Sequence, residues 1–477
     1  MKPQPMGADG LKREVGLGSA TVLVIANMVG TGVFTTSGFI LAELGSVQAL
    51  MACWLLGGLF ALVGALCYGE LGAMLPRAGG EYAYLRQSFG PLPAFLSGWI
   101  SLIVGFSAPI AAAAIAFAVY LLGGEGEPWL ALEIGGRRWL SLSPVTGLAI
   151  AAVLVLSLLH YHSVRLGRRV QNLLTGFKIA FILLLGVGGL LFGNGDGARL
   201  ASLFGPADFS LADPAFAVSL IFVSFAYSGW NAAAYIGGEI RRPGRNLPLS
   251  LLAGTVLVIG LYLLLNLAYV FALPVESLSG TLELGMAAGG ALFGPGFGRI
   301  VGTAIALGLL SVISAMVMAG PRVYYAMACD GVFFSRFCSV DRGHSPGQAI
   351  VLQAGLAILM ILSSAFETLL VYIGFTLSLT AMLAVAGLVR MRFSHPDLPR
   401  PYRTLGYPLT PLAFIAGNLW IVAYSLVSHP LAGLYGIATI VAGVACYWMF
   451  RPGRKRPGTE VPGRFDARGA AREESLP

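Results

Sequence analysis

The sequence predicts an all-α polytopic membrane protein with twelve transmembrane helices, and three observations support this fold class. Of the 477 residues, 57% are hydrophobic and only 11% are charged, whereas soluble proteins carry about 25% charged residues. A chain of this composition has too little polar surface to remain in water, which argues against a soluble enzyme, a secreted disulfide scaffold and a disordered protein. The second observation is a series of long apolar runs, and the third is the placement of basic residues between them.

The apolar runs are long enough to cross a bilayer, which requires about 20 mainly apolar residues. Twelve such runs follow one another, and only Phe366 and Glu367 mark the turn between the ninth and the tenth. The predicted spans are residues 16–44, 47–74, 91–123, 143–160, 170–193, 214–238, 247–273, 299–328, 348–366, 368–389, 408–428 and 431–450.

The basic residues orient these spans. The formal net charge is +8. If the N-terminus is cytoplasmic, the even number of spans returns the C-terminus to the same side, and 24 of the 30 Lys and Arg residues then lie in cytoplasmic segments. This distribution follows the positive-inside rule. We therefore expect a multi-pass protein of the cell (inner or plasma) membrane with both termini cytoplasmic, and no nucleic-acid partner.

Glycines interrupt the first and the sixth run. The first contains ANMVGTGVFTTSG, with Gly30, Gly32 and Gly38, and the sixth contains SFAYSGWNAAAYIGG. Each glycine destabilises a helix interior by about 1 kcal/mol relative to alanine, although glycines in membrane helices also serve close helix packing. Spans one and six each begin a set of five. Matched interruptions in the two halves of a transporter indicate an inverted repeat with a substrate site near the midplane.

The repeat divides the chain into five regions. We expect a cytoplasmic N-terminus and a disordered, Pro-, Gly- and charge-rich cytoplasmic tail to flank two five-helix repeats and a final helix pair. The regions are residues 1–15 (N-terminus), 16–193 (first repeat), 214–389 (second repeat), 408–450 (helices eleven and twelve) and 451–477 (tail).

Interrupted helices present unpaired backbone groups, N–H groups at half-helix N-termini and carbonyls at half-helix C-termini. Such a site suits a zwitterion. We expect a carboxylate to bind the N–H groups of Thr31, Gly32 and Val33, helped by the Thr31 hydroxyl. An ammonium group would bind carbonyls of Met28, Gly30 and the stretch from Phe225 to Ser228.

Lys178 lies inside the fifth apolar run, in LLTGFKIAFILLLG. A charge buried in a bilayer is rare and indicates function, while the alternative is a lysine stem that reaches the cytoplasmic headgroups. Since Glu43, Glu70, Glu239 and Glu367 lie at span ends, the carbonyls freed in the first span are the expected partners. There the ammonium would take the place of a bound cation, and it could also carry a coupling proton.

The sequence contains no signature of a cofactor or an enzyme. The cysteines are odd in number, five, and their spacing is not that of metal ligands. They are expected to be buried free thiols. The sequence contains no cluster of Cys and His residues that would indicate a metal site, and no phosphate-binding loop that would indicate ATP-driven transport. It also contains no cluster of an acid, a base and a nucleophile that would indicate an enzyme. The cysteines are Cys53, Cys67, Cys329, Cys338 and Cys446.

Four segments carry a family resemblance. They are VGTGVF, GALCYGELGAMLPRAGGEYAYLRQSFGPLPAFLSGW, FAYSGWNAAAYIGGEIRRPGRNLP and RVYYAMACDG. With them the chain resembles the amino acid–polyamine–organocation (APC) superfamily, and within it the permeases similar to L-type amino acid transporters. The resemblance implies the leucine-transporter fold with broken helices 1 and 6, alternating access, and amino acids or their relatives as substrates.

The resemblance also implies roles for individual residues. Gly30, Thr31 and Gly32 would bind the carboxylate, and Phe225 would be an aromatic gate. Lys178 would stand where related transporters hold sodium. Around the sixth-span interruption, Ala226, Ser228 and Gly229 would line the site, and Trp230 and Asn231 would line it or pack beside it.

These observations predict a sodium-independent secondary transporter of neutral L-amino acids, working as a proton symporter or an exchanger. Neutral substrates are favoured because no carboxylate lies at the predicted midplane of the site. The alternatives are a cationic amino acid, amine or polyamine exchanger of the same fold and, from another class, a non-transporting receptor or scaffold. We expect no obligatory partner subunit, since no cysteine lies in a predicted outer loop, where relatives that need a single-span partner carry one.

Overall fold

A computed structural model describes most of the chain. The predicted N-terminal region is described from residue 11 only, and the predicted tail, 451–477, lies outside the described residues. The described ranges are residues 11–124, 127–134, 137–205, 209–211, 213–340, 345–363, 366–428 and 430–450.

The first half of the chain is helical apart from one short hairpin. A π-helical turn, Ser101–Ser107, joins α5 to α6, and another, Leu184–Gly188, joins α8 to α9. The elements are α1 (Leu17–Met28), α2 (Gly32–Leu44), α3 (Val47–Met74), α4 (Glu81–Phe89), α5 (Pro91–Ile100), α6 (Ala108–Leu122), β1 (Leu130–Ile134), β2 (Arg137–Leu142), α7 (Pro144–His162), α8 (Val164–Leu183), α9 (Gly189–Phe192) and α10 (Gly197–Ala201).

The second half repeats the alternation of long and short helices. Short 3₁₀ turns at Ser202–Phe204, Gly237–Glu239 and Ser335–Phe337 mark changes of direction. The helices are α11 (Pro214–Ala226), α12 (Ala232–Tyr235), α13 (Pro243–Ala272), α14 (Val275–Leu278), α15 (Leu284–Phe293), α16 (Pro295–Ala319), α17 (Pro321–Cys329), α18 (Gly347–Leu362), α19 (Phe366–Ser394), α20 (Leu409–Ser428) and α21 (Pro430–Phe450).

The long helices are apolar enough to cross a membrane. In the described residues seven continuous helical stretches meet this criterion, and α1 with α2 forms an eighth if that bent pair is one span. Shorter apolar helices include α11, α15 and α18. The chain is therefore a polytopic helical membrane protein, while the count of twelve spans stays a prediction.

The start of the fifth span differs most from the expectation. The fifth span was expected from residue 170, but α8 already begins at Val164, so Arg165, Arg168 and Arg169 belong to the helix. Only Ser163 separates α7 from α8. Its extended backbone (φ −160°, ψ 121°) reverses the chain, and its hydroxyl accepts a hydrogen bond from the Leu166 N–H at 3.3 Å. Because a single residue separates the two helices, the hydropathy of the sequence shows no polar gap from which the start of α8 could be read.

One expected loop contains strands. The segment between the third and fourth predicted spans forms an antiparallel hairpin, β1 paired with β2, in which Leu130 lies opposite Leu142 and Ala131 opposite Ser141. A two-stranded hairpin of this length is too short to register as a span.

The expectation of five free thiols is wrong for two cysteines. Cys329 and Cys338 form a disulfide, with their Cα atoms 4.8 Å apart. The chain reverses after α17 through Gly331 (φ 73°) and returns along a 3₁₀ turn, which brings two residues nine positions apart together. Cys53, Cys67 and Cys446 are free.

The N-terminal segment packs across one end of the helix bundle, which we call the N-terminal face. The Val15 N–H donates to the Glu239 carbonyl at 2.9 Å, and the Arg241 N–H donates to the Val15 carbonyl at 2.8 Å. Nearby, Arg322 forms a buried two-point ion pair with the Glu239 carboxylate, at 2.7 and 3.3 Å. These contacts join the segment after α12 to α17 and to the start of the chain.

Candidate functional site

The first apolar run is interrupted at residues 29–31. Helix α1 ends at Met28, α2 begins at Gly32, and their axes are bent by 42°. The Gly30 N–H turns back to the Met28 carbonyl at 2.9 Å, which ends the α-helical hydrogen-bond ladder. The first turn of α2 then presents amide N–H groups that a helix leaves without an internal acceptor.

The sixth apolar run is interrupted between Ala226 and Ala232, where the chain turns through Gly229. Gly229 has φ 93°, a conformation that L-residues rarely adopt, and a Cβ there would lie 2.8 Å from the Asn27 carbonyl oxygen. Glycine is therefore the residue that this turn accommodates. The Ala232 N–H donates to the Gly229 carbonyl at 3.0 Å, and α12 starts from this turn.

The two interruptions contact each other directly. The Asn27 side-chain amide donates to the Gly229 carbonyl at 3.5 Å. A Cβ on Gly32 would meet the Ala226 Cβ at 2.8 Å and its Cα at 2.9 Å, so α2 approaches the end of α11 at van der Waals distance. Segments about 200 residues apart in the chain thus lie in direct contact.

Tyr262, on α13, connects the two interruptions and is absent from the sequence prediction. Its buried hydroxyl lies 2.7 Å from the Met28 carbonyl oxygen and 3.0 Å from that of Ala226, and its hydrogen can be donated to one of them at a time. The expected ammonium ligand at Met28 therefore already has a protein donor. In the sequence, the one feature that could have indicated this role is the single tyrosine, with its polar hydroxyl, in the aliphatic run GLYLLLN.

Lys178 is buried against the first interruption. Its ammonium donates to the carbonyl oxygens of Ala26, at 3.1 Å, and Val29, at 2.5 Å, and the residue is 2% exposed. Because α8 starts at Val164, Lys178 lies about 21 Å along the helix from its beginning. The headgroup alternative therefore does not apply, since the ammonium points at carbonyls of the interrupted span. Around it, a small crevice is lined by Gly30, Phe181, Ala304 and Gly308 among others.

The other expected site residues differ in exposure. The Phe225 side chain is 36% exposed, and a Cβ on Gly30 would meet nothing within 4 Å, so both face open space. Thr31 is the N-cap residue of α2. Val33 is fully buried, which leaves it only a backbone role.

Trp230 and the three alanines after Asn231 pack against neighbouring helices. The Trp230 ring makes edge-on contacts with Tyr68 and Phe414, at 4.7 and 5.7 Å between centroids, and is 9% exposed. Ala232, Ala233 and Ala234 are at most 1% exposed. Of the two roles that the sequence left open for Trp230, packing beside the site agrees with this burial.

The arrangement is suited to a small zwitterion. The α2 N-terminus offers N–H groups and the positive end of a helix dipole, and the open space beside Gly30 and the partly exposed Phe225 ring can hold an apolar side chain. In the described part of the chain, no group of three or more His, Cys, Asp or Glu residues could hold a metal ion.

Gly32→Ala is expected to lower amino acid uptake at least about tenfold, whereas Gly30→Ala is expected to change mainly the apparent affinity. The Gly32 methyl would overlap the Ala226 backbone, while the Gly30 methyl would enter open space, and overpacking destabilises by about 1–3 kcal/mol. Uptake into proteoliposomes measures the effect, and size-exclusion profiles of both variants report folding. Uptake by Gly32→Ala equal to that of the unmodified chain would contradict this site.

The chain is similar to known amino acid transporters along most of its length. The family model described as "Amino acid permease" matches residues 15–459. The chain is 30% identical to the b(0,+)-type amino acid transporter 1 of Mus musculus, over 92% of this chain and 88% of that protein. It is 31% identical to the large neutral amino acids transporter small subunit 2 of Rattus norvegicus (94% and 83%). It is 30% identical to the cystine/glutamate transporter of Homo sapiens (94% and 87%).

Proposed function

This chain belongs to the amino acid permease family, as an L-type-like member of the APC superfamily, and we propose that it carries neutral L-amino acids without sodium. Amino acid transport by a multi-pass membrane protein, and not enzymatic catalysis, follows from the family and its transporter relatives. The proposal adds the substrate class, the ion requirement and the mechanism. It places both termini in the cytoplasm of a cell whose plasma membrane holds the protein, and the N-terminal face is then the cytoplasmic end.

The contact between Lys178 and the carbonyls of Ala26 and Val29 carries the proposal. Carbonyl oxygens at an interrupted helix are ligands that a sodium ion would need. The Lys178 ammonium already binds these oxygens, so it supplies the positive charge and occupies the position that a sodium ion would take. We therefore infer sodium-independent alternating access, with the substrate carboxylate at Thr31, Gly32 and Val33.

Neutral substrates are supported by the charge around the two interruptions. The Lys178 ammonium reaches the first interruption, where a cationic substrate side chain would meet repulsion. The Glu81 carboxyl beside the sixth is already bound by the Asn231 amide and the Tyr68 hydroxyl. One relative is named for large neutral amino acids, which agrees with this choice. The name of another relative includes b(0,+), and a cationic amino acid or amine exchanger of the same fold is therefore the second candidate.

The proposed site is built from residues that the sequence indicated, and Val33 contributes to it through its backbone N–H. Gly30, Ser228 and Gly229 would line the substrate cavity, Phe225 would close it, and Lys178 would couple conformational change to charge. Tyr262 would hold the two interruptions together. Residues 16–193 and 214–389 would form the two inverted repeats around this site.

We propose that the chain transports without a partner subunit. One relative is named a small subunit. In this chain Cys329 and Cys338 are joined to each other, and Cys53, Cys67 and Cys446 lie within helices α3 and α21. None of these thiols is positioned in a predicted outer loop for an intersubunit disulfide.

Purified chain alone, reconstituted into proteoliposomes, is expected to accumulate neutral amino acids equally in sodium and in potassium buffer. A radiolabelled panel of neutral, cationic and acidic amino acids, cystine and putrescine measures the substrate class. Stimulation by internal amino acid indicates exchange, and stimulation by an inward proton gradient indicates symport. Strict dependence on sodium, preference for arginine or putrescine, or uptake only after addition of a second subunit would each overturn the corresponding part of the proposal.

A further inference from the structure

Glu81 differs from the other well-buried carboxylates near the N-terminal face, because its hydrogen-bond donors are neutral. Glu70 pairs with Arg392, and Glu239 pairs with Arg322. Glu81 is 2% exposed and takes part in no ion pair among the described residues. Its Oε1 accepts hydrogen bonds from the Tyr68 hydroxyl, at 2.7 Å, and from the Asn231 amide, at 2.9 Å.

The second carboxylate oxygen of Glu81, Oε2, is buried and has no hydrogen-bond partner in the part of the chain that the structure describes. A buried unpaired oxygen of a carboxylate is strongly unfavourable when ionised. A proton on Oε2 would neutralise the group and leave both bonds to Oε1 in place. Burial raises the pKa of the Glu81 carboxyl, in agreement with this geometry.

Glu81 lies where α12 docks on the start of α4. The Gly79 N–H donates to the Tyr235 carbonyl at 2.9 Å, at the end of α12. The Tyr235 ring packs on Gly80, where a Cβ would lie 2.6 Å from it. Together with the bond from Asn231 to Glu81, these contacts hold the second half of the interrupted sixth run against the turn before α4 and the start of α4.

The other charged groups on the surrounding helices have partners of their own. Tyr68, Tyr84 and Tyr235 are the titratable neighbours of Glu81, and the Thr380 hydroxyl of α19 lies beside it. On the elements packed against α4, the charged groups are Arg86 with Asp330, Arg322 with Glu239, Arg392 with Glu70, and Arg390 over the Phe89 ring.

We propose that Glu81 is a proton-binding site that controls the docking of α12 and so gates the cytoplasmic end of the transport path. The carboxyl is protonated while α12 is docked on the start of α4. When α12 moves away, water reaches Glu81 and the proton leaves for the cytoplasm. The proposed function supplies the cytoplasmic direction of this gate; the coupling of proton and docking does not depend on it.

The sign of the pH effect follows from linkage. The docked state binds the proton more tightly than the open state, so low pH favours docking and high pH favours opening. A tenfold difference in proton affinity between the two states raises the open population about tenfold across the titration.

Hydrogen–deuterium exchange of residues 231–240 tests the proposal on the full chain in nanodiscs, without substrate. After correction for intrinsic exchange rates, protection is expected to fall about tenfold or more between pH 5 and pH 8. Glu81→Gln, which stays neutral, is expected to remain protected at both pH values. Tyr68→Phe removes a donor to the ionised group and is expected to move the transition to higher pH. Glu43→Gln, at an exposed acid, is the matched control and should behave as the unmodified chain.

Protection that does not change with pH in the unmodified chain, or a pH dependence that persists in Glu81→Gln, would overturn the proposal. Because this measurement needs no transport, its result is separate from that of the uptake panel. If the chain does not transport neutral amino acids but shows the pH-dependent change in hydrogen exchange, the gate is supported and the proposed function is refuted. If it transports neutral amino acids but shows no such change, the proposed function is supported and the gate is refuted.

Discussion

Replacing Lys178 with methionine is expected to lower concentrative amino acid uptake at least about tenfold while leaving the protein folded. The substitution keeps the length of the stem that packs beside Gly308 but leaves the carbonyls of Ala26 and Val29 without their cationic donor. Hydrogen bonds to a charged group contribute about 1.5–3 kcal/mol each, and about 1.4 kcal/mol is a tenfold change in population. A loss of tenfold to several hundredfold in uptake follows.

Arg169→Ala is the matched control for Lys178→Met. Arg169 is an exposed cation on the same helix, so its removal is expected to leave uptake unchanged. Uptake is measured in proteoliposomes with and without sodium and with and without a pH gradient. Lys178→Met that transports normally would refute the role of the ammonium, and Lys178→Met that gains sodium dependence would support its place as a substitute cation.

Arg322→Met is expected to produce the largest loss of stability. The guanidinium is 1% exposed and is bound at two points by the Glu239 carboxylate. Removing one member of a buried pair leaves the other charge uncompensated, which destabilises by about 3–5 kcal/mol. The melting temperature in detergent should fall by several degrees.

The exposed pair of Arg165 with Glu14 provides the comparison. Its Arg165 side chain is 63% exposed, and exposed ion pairs contribute little because water and salt screen them. The melting temperature of Arg165→Ala should therefore equal that of the unmodified protein. Equal melting temperatures for Arg322→Met and Arg165→Ala would mean that the buried pair does not stabilise the N-terminal face.

The sequence was most informative where a property depends on local composition. Hydropathy identified the long helices because a bilayer span needs a continuous apolar stretch, whatever it packs against. Gly30, Gly32 and Gly38 indicated that the first run weakens, and helix α1 does end at Met28, although Gly38 lies inside α2. The resemblance to amino acid permeases was confirmed by the family comparison.

The sequence was least informative where one capping or turn residue decides the structure. Ser163 alone reverses the chain between α7 and α8, so a hydropathy window placed the start of the fifth span too late. The disulfide of Cys329 with Cys338 depends on the turn after α17. Spacing in the sequence did not distinguish that pair from the three free thiols.

What the sequence determined by itself is that this chain is a membrane-embedded helical amino acid transporter, and it predicted two weakened helices and an intramembrane lysine. Composition, glycine placement and the rarity of a buried charge are all properties of short segments. Tertiary structure decided the partners: Tyr262 beside Met28, Asn27 on Gly229, and Asn231 on Glu81. These pairs are separated by 150 to 234 residues, and a hydrogen bond of about 3 Å forms between them only when the packed helices bring donor and acceptor together.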